Sequence, residues 1–317
     1  MTYLTYDIPV AGGPLRVGEW RPENTTESAG DAPVILALHG MTGSHLSWQF
    51  LAAEFAEARI IAPDLRGRGL SAELAEPYGI AQHVADVRAI VEALRLDSGD
   101  HRRDLVIVGH SLGAFVGLSV LRAMPSVFSR AFFADGGLPL TVPLNIDDVD
   151  LVEAVLGLAV ARRTELTFTS KALYRKFWRL HPGLAAAWSE RLGLMADYDL
   201  VEILAADGSL RYRPVSRREA IEADARELYG SHAIRELLTG FGEGGADAPT
   251  ISVLTAPRGL LNEAPGVYSE SELAGWKSEF PFITFVEVPN VNHYSLVLAA
   301  KGASAIAAEL RRALACV

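Results

Sequence analysis

Cysteine is almost missing from this 317-residue chain: Cys316 is the sole one, so no intrachain disulfide can form. Basic residues are outnumbered, 29 Lys and Arg against 39 Asp and Glu, for a formal net charge of −10. A chain of that sign repels phosphate backbones, which excludes nucleic acid as an expected partner. No apolar run reaches the roughly 18 residues a membrane span needs, so none is expected. Residues 1–7 show neither the basic stretch nor the apolar stretch of a secretory leader. With the shortage of cysteine, that predicts a cytoplasmic protein. H-E-x-x-H and C-x-x-C spacings are also missing, as is any internal repeat, so no metal and no cofactor are expected. What remains is an ordinary globular composition, half hydrophobic. It suits one large α/β domain with an insertion, or two domains.

The most informative stretch that is present runs from Val106 to Ala114. An apolar, β-branched run ends in Gly109-His110-Ser111-Leu112-Gly113 and continues as a small-residue helix. This is the G-x-S-x-G nucleophile elbow in a strand–turn–helix context. Gly109 and Gly113 have no Cβ, which lets strand and helix approach closely. Ser111 is held at the tip, next to helix-start N–H groups that can face a developing anion.

Around the elbow, apolar strands alternate with helical patterns. Strands are expected at 3–10, 15–21, 33–38, 59–62, 105–108 and 131–134, and helices at 46–58, 80–96 and 112–124. From about 138 to 245 the rhythm is helical, with helices expected at 148–162, 170–180, 184–194 and 216–229 and no buried strand. Strands return at 250–255 and 282–288, with helices at 269–279 and 295–315. Such alternation predicts a mostly parallel sheet covered on both faces. The chain therefore divides into a first core part (1–137), an all-helical insertion (138–245) and a second core part (246–317).

Four motifs occur in a fixed order: His39-Gly40-Met41-Thr42-Gly43, the loop from Asp64 to Ser71, the Gly109–Gly113 elbow, and Asn292-His293-Tyr294. By these the chain resembles the α/β-hydrolase fold superfamily over nearly its whole length. The resemblance implies an eight-stranded sheet with a helical cap inserted after strand 6. It also implies a serine hydrolase, esterase-like or lactonase-like.

Ser111 is the expected nucleophile, and His293, on the loop after the last strand, the expected general base. His39 and His110 are read as turn residues of their motifs. In most of the superfamily the acid follows the seventh strand, but there the chain reads Ala256-Pro257-Arg258-Gly259-Leu260, with Glu263 the nearest carboxylate beyond. Other members carry it after the sixth strand, where Asp135 stands. Asp135 is the preferred acid and Glu263 the alternative. The amides of Met41 and Leu112 are the expected oxyanion donors. Arg66 is read as an ion-pair partner in a structural loop. Thr42, His45, Trp48, Trp178 and Trp188 are candidates to line the pocket, whose aromatic character predicts a small hydrophobic or aromatic ester or lactone as substrate. Amide hydrolysis, C–C cleavage of a vinylogous diketone by the same triad, and a slow-turnover ligand-binding role stay open. So does the choice between monomer and homodimer.

Overall fold

The computed structural model describes residues 1–23, 32–97, 105–140, 151–228, 231–242 and 248–315. Cys316, Tyr229 at the end of the helix expected at 216–229, the start of the helix expected at 148–162 (148–150) and the end of the expected insertion (243–245) lie outside them. Strands β1 (Thr2–Val10), β2 (Gly13–Arg21), β3 (Val34–Leu38), β4 (Arg59–Pro63), β5 (Leu105–His110) and β6 (Arg130–Ala134) are followed, after an insertion, by β9 (Thr250–Thr255) and β10 (Ile283–Glu287). These eight form one sheet in the order β1-β2-β4-β3-β5-β6-β9-β10. β1/β2 and β2/β4 are antiparallel and every other pair is parallel. The central strands are apolar at nearly every position because both faces are covered; β3 and β5 are buried throughout.

Helices α1 (Gln49–Glu54), α2 (Ile80–Ala93) and α3 (Leu112–Ala123) lie within the first core part. The expected helix at 46–58 divides into a 3-10 turn (His45–Trp48) and α1. Between β6 and β9 come α4 (Leu151–Leu156), α5 (Leu158–Arg163), α6 (Lys171–Arg179), α7 (Pro182–Ala185) and α8 (Glu190–Tyr198), then β7 (Leu200–Leu204), β8 (Leu210–Pro214), α9 (Arg218–Leu228) and α10 (Ser231–Gly242). α11 (Glu270–Glu279), α12 (Ser295–Leu298) and α13 (Ala300–Leu314) complete the chain's helices among the described residues.

The insertion is therefore not all helical. β7 and β8 pair as an antiparallel hairpin with Leu204 opposite Leu210. The turn contains Asp207-Gly208, with Gly208 at φ 77°, a short-range hairpin signal. Both strands lie mostly at the surface, so they lack the apolar run that marks a buried strand. The expected helix at 148–162 breaks at Gly157, whose φ is 78°. The one expected at 184–194 breaks before Ser189, whose side chain caps α8 by accepting the Leu192 N–H. The final helix likewise divides at Ala299, which is extended.

Candidate active site

β5 ends directly in the elbow. Ser111 has φ 52° and ψ −120°, a conformation that side chains other than glycine's avoid. The surroundings enforce it. A Cβ on Gly109 would lie 2.4 Å from the Gly113 carbonyl oxygen, and one on Gly113 would lie 2.1 Å from that of Leu38. Neither glycine can be replaced without separating β5, α3 and β3. The Ser111 N–H donates to the Ala134 carbonyl at 3.0 Å, which pins the turn to the end of β6.

Asp135 follows β6 immediately. β6 runs beside β9, with Ala134 opposite Leu254, so Asp135 emerges at the sheet edge next to the chain that leads to the histidine loop. Its N–H donates to the Leu254 carbonyl at 2.8 Å. Its Oδ1 accepts the Ala256 N–H at 3.2 Å. Its Oδ2 lies 2.7 Å from His293 Nδ1. Both side chains are buried. An aspartate oxygen at that distance fixes the neutral ring with its proton on Nδ1 and leaves Nε2 free to act as a base. Glu263 is exposed in a turn where its carbonyl accepts the Gly259 N–H at 2.8 Å. The carboxylate at His293 is Asp135.

The histidine loop is held from three sides. The His293 N–H donates to the Arg258 carbonyl at 3.0 Å. Asn292 Nδ2 donates to the Gly183 carbonyl at 3.0 Å. His110 Nε2 donates to the His293 carbonyl at 2.9 Å. His110 is thus more than a turn residue: it ties the elbow to the histidine loop, and the rings of His110 and His293 stand 4.7 Å apart. Burial, then the neighbouring His293, hold its titration well below the usual imidazole range.

The loop after β3 lies against the elbow. A Cβ on Gly40 would come 3.3 Å from Ser111 Cβ, so Met41 follows directly beside Ser111. Leu112 opens α3, where a first-turn N–H has no intrahelical acceptor. Arg68, fully buried, donates through Nε to the Met41 carbonyl at 2.9 Å and pairs with Asp224 of α9 at 2.6 Å. That tie was not legible in the sequence, because Arg68 reads there as one more loop cation. Arg66 is buried against Asp86 at 2.8 Å, the ion pair expected of it.

His39 supports the same loop in one protonation state. Its Nε2 accepts the Leu65 N–H at 2.9 Å, and its Nδ1–H reaches the Gly40 carbonyl at 2.7 Å. Full burial pushes its pKa down to about 4. The unfolded chain, titrating near 6.5, therefore binds the proton first as pH falls. Stability from His39 is complete above that value and is lost toward pH 4. The loss for this residue between pH 7 and pH 5 is about 2 kcal/mol. Urea unfolding at both pH values should show His39→Gln losing about that much less than wild type; equal losses would contradict it.

A cavity of about 460 Å³ opens over Ser111, with Gly40, Met41, Asp135 and His293 on its wall. Thr42, Trp178 and Trp188 line it as expected. His45 and Trp48 do not. In the 3-10 turn, residues three apart share a face: Ser44 and Ser47 face the cavity, while His45 and Trp48 turn into the core. His45 is buried between Asp64 (Nδ1 to Oδ1, 2.7 Å) and Tyr3 (Nε2 to the hydroxyl, 2.7 Å), with its ring against Gly18, where a Cβ would collide. Trp48 is likewise fully buried. Among the described residues no cluster of acidic, histidine or cysteine side chains is arranged to hold a metal, and no helix is long and apolar enough to cross a membrane.

Known proteins resemble this chain in sequence and in fold. An uncharacterized protein of Mycobacterium tuberculosis strain H37Rv is 30% identical over 119 residues, 37% of this chain and 33% of that protein. The Escherichia coli O103:H2 protein RutD, named for carbamate hydrolysis, is 33% identical over 110 residues, 34% of this chain and 39% of RutD. The chain thus matches only 33% to 39% of the length of these curated relatives. Among solved structures, E-2-(acetamidomethylene)succinate hydrolase superposes with a TM-score of 0.72 at 17% identity, covering 99% of this chain and 100% of that one. A thioesterase domain from the curacin biosynthetic pathway gives 0.69 at 19%, covering 98% and 99%. At such identities the likeness speaks for the fold. The alpha/beta hydrolase family profile matches residues 35–306, and the chain belongs to that family.

Proposed function

We propose that this protein is a serine hydrolase that cleaves a carboxylic ester or lactone through an acyl-enzyme on Ser111. The observation that carries the reading is the buried His293–Asp135 pair at 2.7 Å, on the wall of the cavity that also contains Ser111 in its constrained turn. In this reading His293 Nε2 takes the Ser111 hydroxyl proton as Oγ adds to the substrate carbonyl. The N–H groups of Met41 and Leu112 receive the oxyanion. Asp135 stabilises the imidazolium. The C–O bond to the leaving alcohol then breaks, and His293 gives that oxygen the proton. Water, deprotonated by His293, attacks the acyl-enzyme and releases the acid and Ser111.

Residues 138–245 act as a lid in this account, between core parts 1–137 and 246–317. Trp178, Leu184, Trp188 and Met195 add apolar surface to the wall of the cavity that contains Ser111, which suits a hydrophobic substrate moiety. A second reading, carbamate or amide hydrolysis, is favoured by the name of the RutD relative and uses the same residues. A panel of p-nitrophenyl esters, lactones, carbamates and anilides at matched acyl length separates the two. Ester or lactone turnover well above that of nitrogen-linked substrates is expected. A higher kcat/KM on carbamates or amides would transfer the assignment to them.

A further inference from the structure

The turn that carries the Met41 N–H is held at one peptide by its own motif and at the next from outside. The Gly43 N–H closes the turn by donating to the Gly40 carbonyl at 3.0 Å, and the His39 Nδ1–H reaches the same carbonyl at 2.7 Å. Those two bonds fix the peptide that ends in the Met41 N–H. The peptide after it, at the centre of the turn, is the soft one. Type I and type II turns differ by its rotation, through ψ of the second residue and φ of the third. Here those residues are Met41 and Thr42, both on the cavity wall.

Arg68 removes that freedom. Its Nε donates to the Met41 carbonyl at 2.9 Å and its Nη1 to the Arg66 carbonyl at 2.9 Å, while Nη2 lies 3.3 Å from Met41 Sδ. The side chain is fully buried, and a buried guanidinium needs a counter-charge. Asp224 of α9, in the insertion, meets it at 2.6 Å.

Asp224 is fully buried as well, with His83 Nε2 of α2 at 3.1 Å from its Oδ1. Burial opposes its charge, yet Arg68 and then His83 hold its titration below the ordinary carboxylate range. Around this pair α9 is seated closely on the 64–71 loop. The Arg217 N–H donates to the Gly67 carbonyl at 2.8 Å, and a Cβ on Gly67 would lie 2.4 Å from Ala220 Cβ. The counter-charge thus comes from the insertion, while the bond it steadies lies in the loop beside Ser111.

We propose that Arg68 and Asp224 are positioning residues for the oxyanion donor at Met41. With α9 seated, Asp224 keeps Arg68 on the Met41 carbonyl, and the turn presents the Met41 N–H in one orientation. This rests on the reading of Ser111 as nucleophile and of Met41 as donor. It gives the insertion a part in the chemistry besides walling the cavity. Neither Arg68 nor Asp224 is on the cavity wall, so their effect should fall on kcat rather than KM.

The test uses two variants and two ketones. Arg68→Lys keeps a charge opposite Asp224 but loses the Nε bond; Asp224→Asn keeps the shape and leaves the guanidinium uncompensated. Each should lower kcat on a p-nitrophenyl ester about ten- to a hundred-fold, short of the full loss of an oxyanion donor, with KM within about two-fold. A trifluoromethyl ketone of matched chain length accepts the Ser111 oxygen at its carbonyl carbon; the hydroxyl proton passes to His293 and the ketone oxygen becomes the anion. Its Ki should rise by the same factor as kcat falls. The methyl ketone, which stays neutral, should bind unchanged. If the single variants fail to fold, Arg68→Met/Asp224→Asn removes both charges together, keeps an acceptor for His83, and should show the same losses. A merely structural role lowers the amount of folded enzyme, and so kcat, but leaves both Ki values at wild type. Unchanged trifluoromethyl ketone affinity in the folded variants, or an equal loss for both ketones, overturns the positioning role. Failure of the hydrolase reading looks different: wild type itself turns over no ester and binds the two ketones alike, and the positioning role falls with it.

Discussion

Ser111→Ala should lower kcat on a good ester by about 10⁴-fold or more while leaving the fold intact. The loss is large because, in the proposed mechanism, the hydroxyl forms the bond that defines the intermediate; oxyanion donors and binding alone retain only a residual rate. The elbow adds a second expectation. Ser111 has φ 52° and ψ −120°, and a residue with a Cβ in so sparse a region costs roughly 1–3 kcal/mol. Ser111→Gly should therefore be as inactive as the alanine variant yet more stable, by an amount within that range. Steady-state turnover and urea unfolding on the three proteins check both. Alanine activity within ten-fold of wild type, or a glycine variant less stable than wild type, would count against the elbow as described.

The second large effect is expected at Asp135. Its Oδ2 holds His293 Nδ1 at 2.7 Å while Oδ1 accepts the Ala256 N–H. In Asp135→Asn the amide oxygen can keep the Ala256 bond, but the NH₂ then faces Nδ1. The ring must present a lone pair there and carry its proton on Nε2, the wrong tautomer for a base toward Ser111. A fall in kcat of about 10³- to 10⁴-fold follows, with KM little changed. Asparagine tolerates the left-handed backbone of this position, where φ is 50°, so the fold should survive. Glu263→Gln, at an exposed turn, should leave kcat unchanged. The opposite pattern, with Glu263→Gln inactive and Asp135→Asn active, would make Glu263 the acid.

These two residues also mark how far the sequence could be read. Ser111 was legible because strand, sharp turn and helix are contiguous, and the glycines that permit the turn lie two residues to either side. His293 was legible from motif order. The acid was legible only as a preference, Asp135 over Glu263. Setting Glu263 aside requires knowing that β6 lies beside β9 and that Asp135 meets the His293 ring, non-local contacts that local pattern does not contain. The same limit explains His45 and Trp48: composition places them near the pocket, but the three-residue period of one 3-10 turn sends them into the core and leaves Ser44 and Ser47 on the cavity. The β7/β8 hairpin escaped because exposed strands lack an apolar run, although Asp207-Gly208 was a usable turn signal. Arg68 and His110 act across the fold, through partners such as Asp224 and the His293 carbonyl that are far away in sequence. No local feature distinguishes them from surface cations or turn histidines.

The proposed hydrolysis depends on one hydroxyl, at Ser111, being made nucleophilic by the His293–Asp135 pair. Its most direct measurement is the reaction of the native protein with a fluorophosphonate, followed by peptide mapping of the adduct by mass spectrometry. A single phosphonyl group is expected on the peptide containing Ser111, formed much more slowly in Asp135→Asn and not at all in Ser111→Ala. Labelling at another residue, or at Ser111 with a rate indifferent to Asp135→Asn, would contradict it.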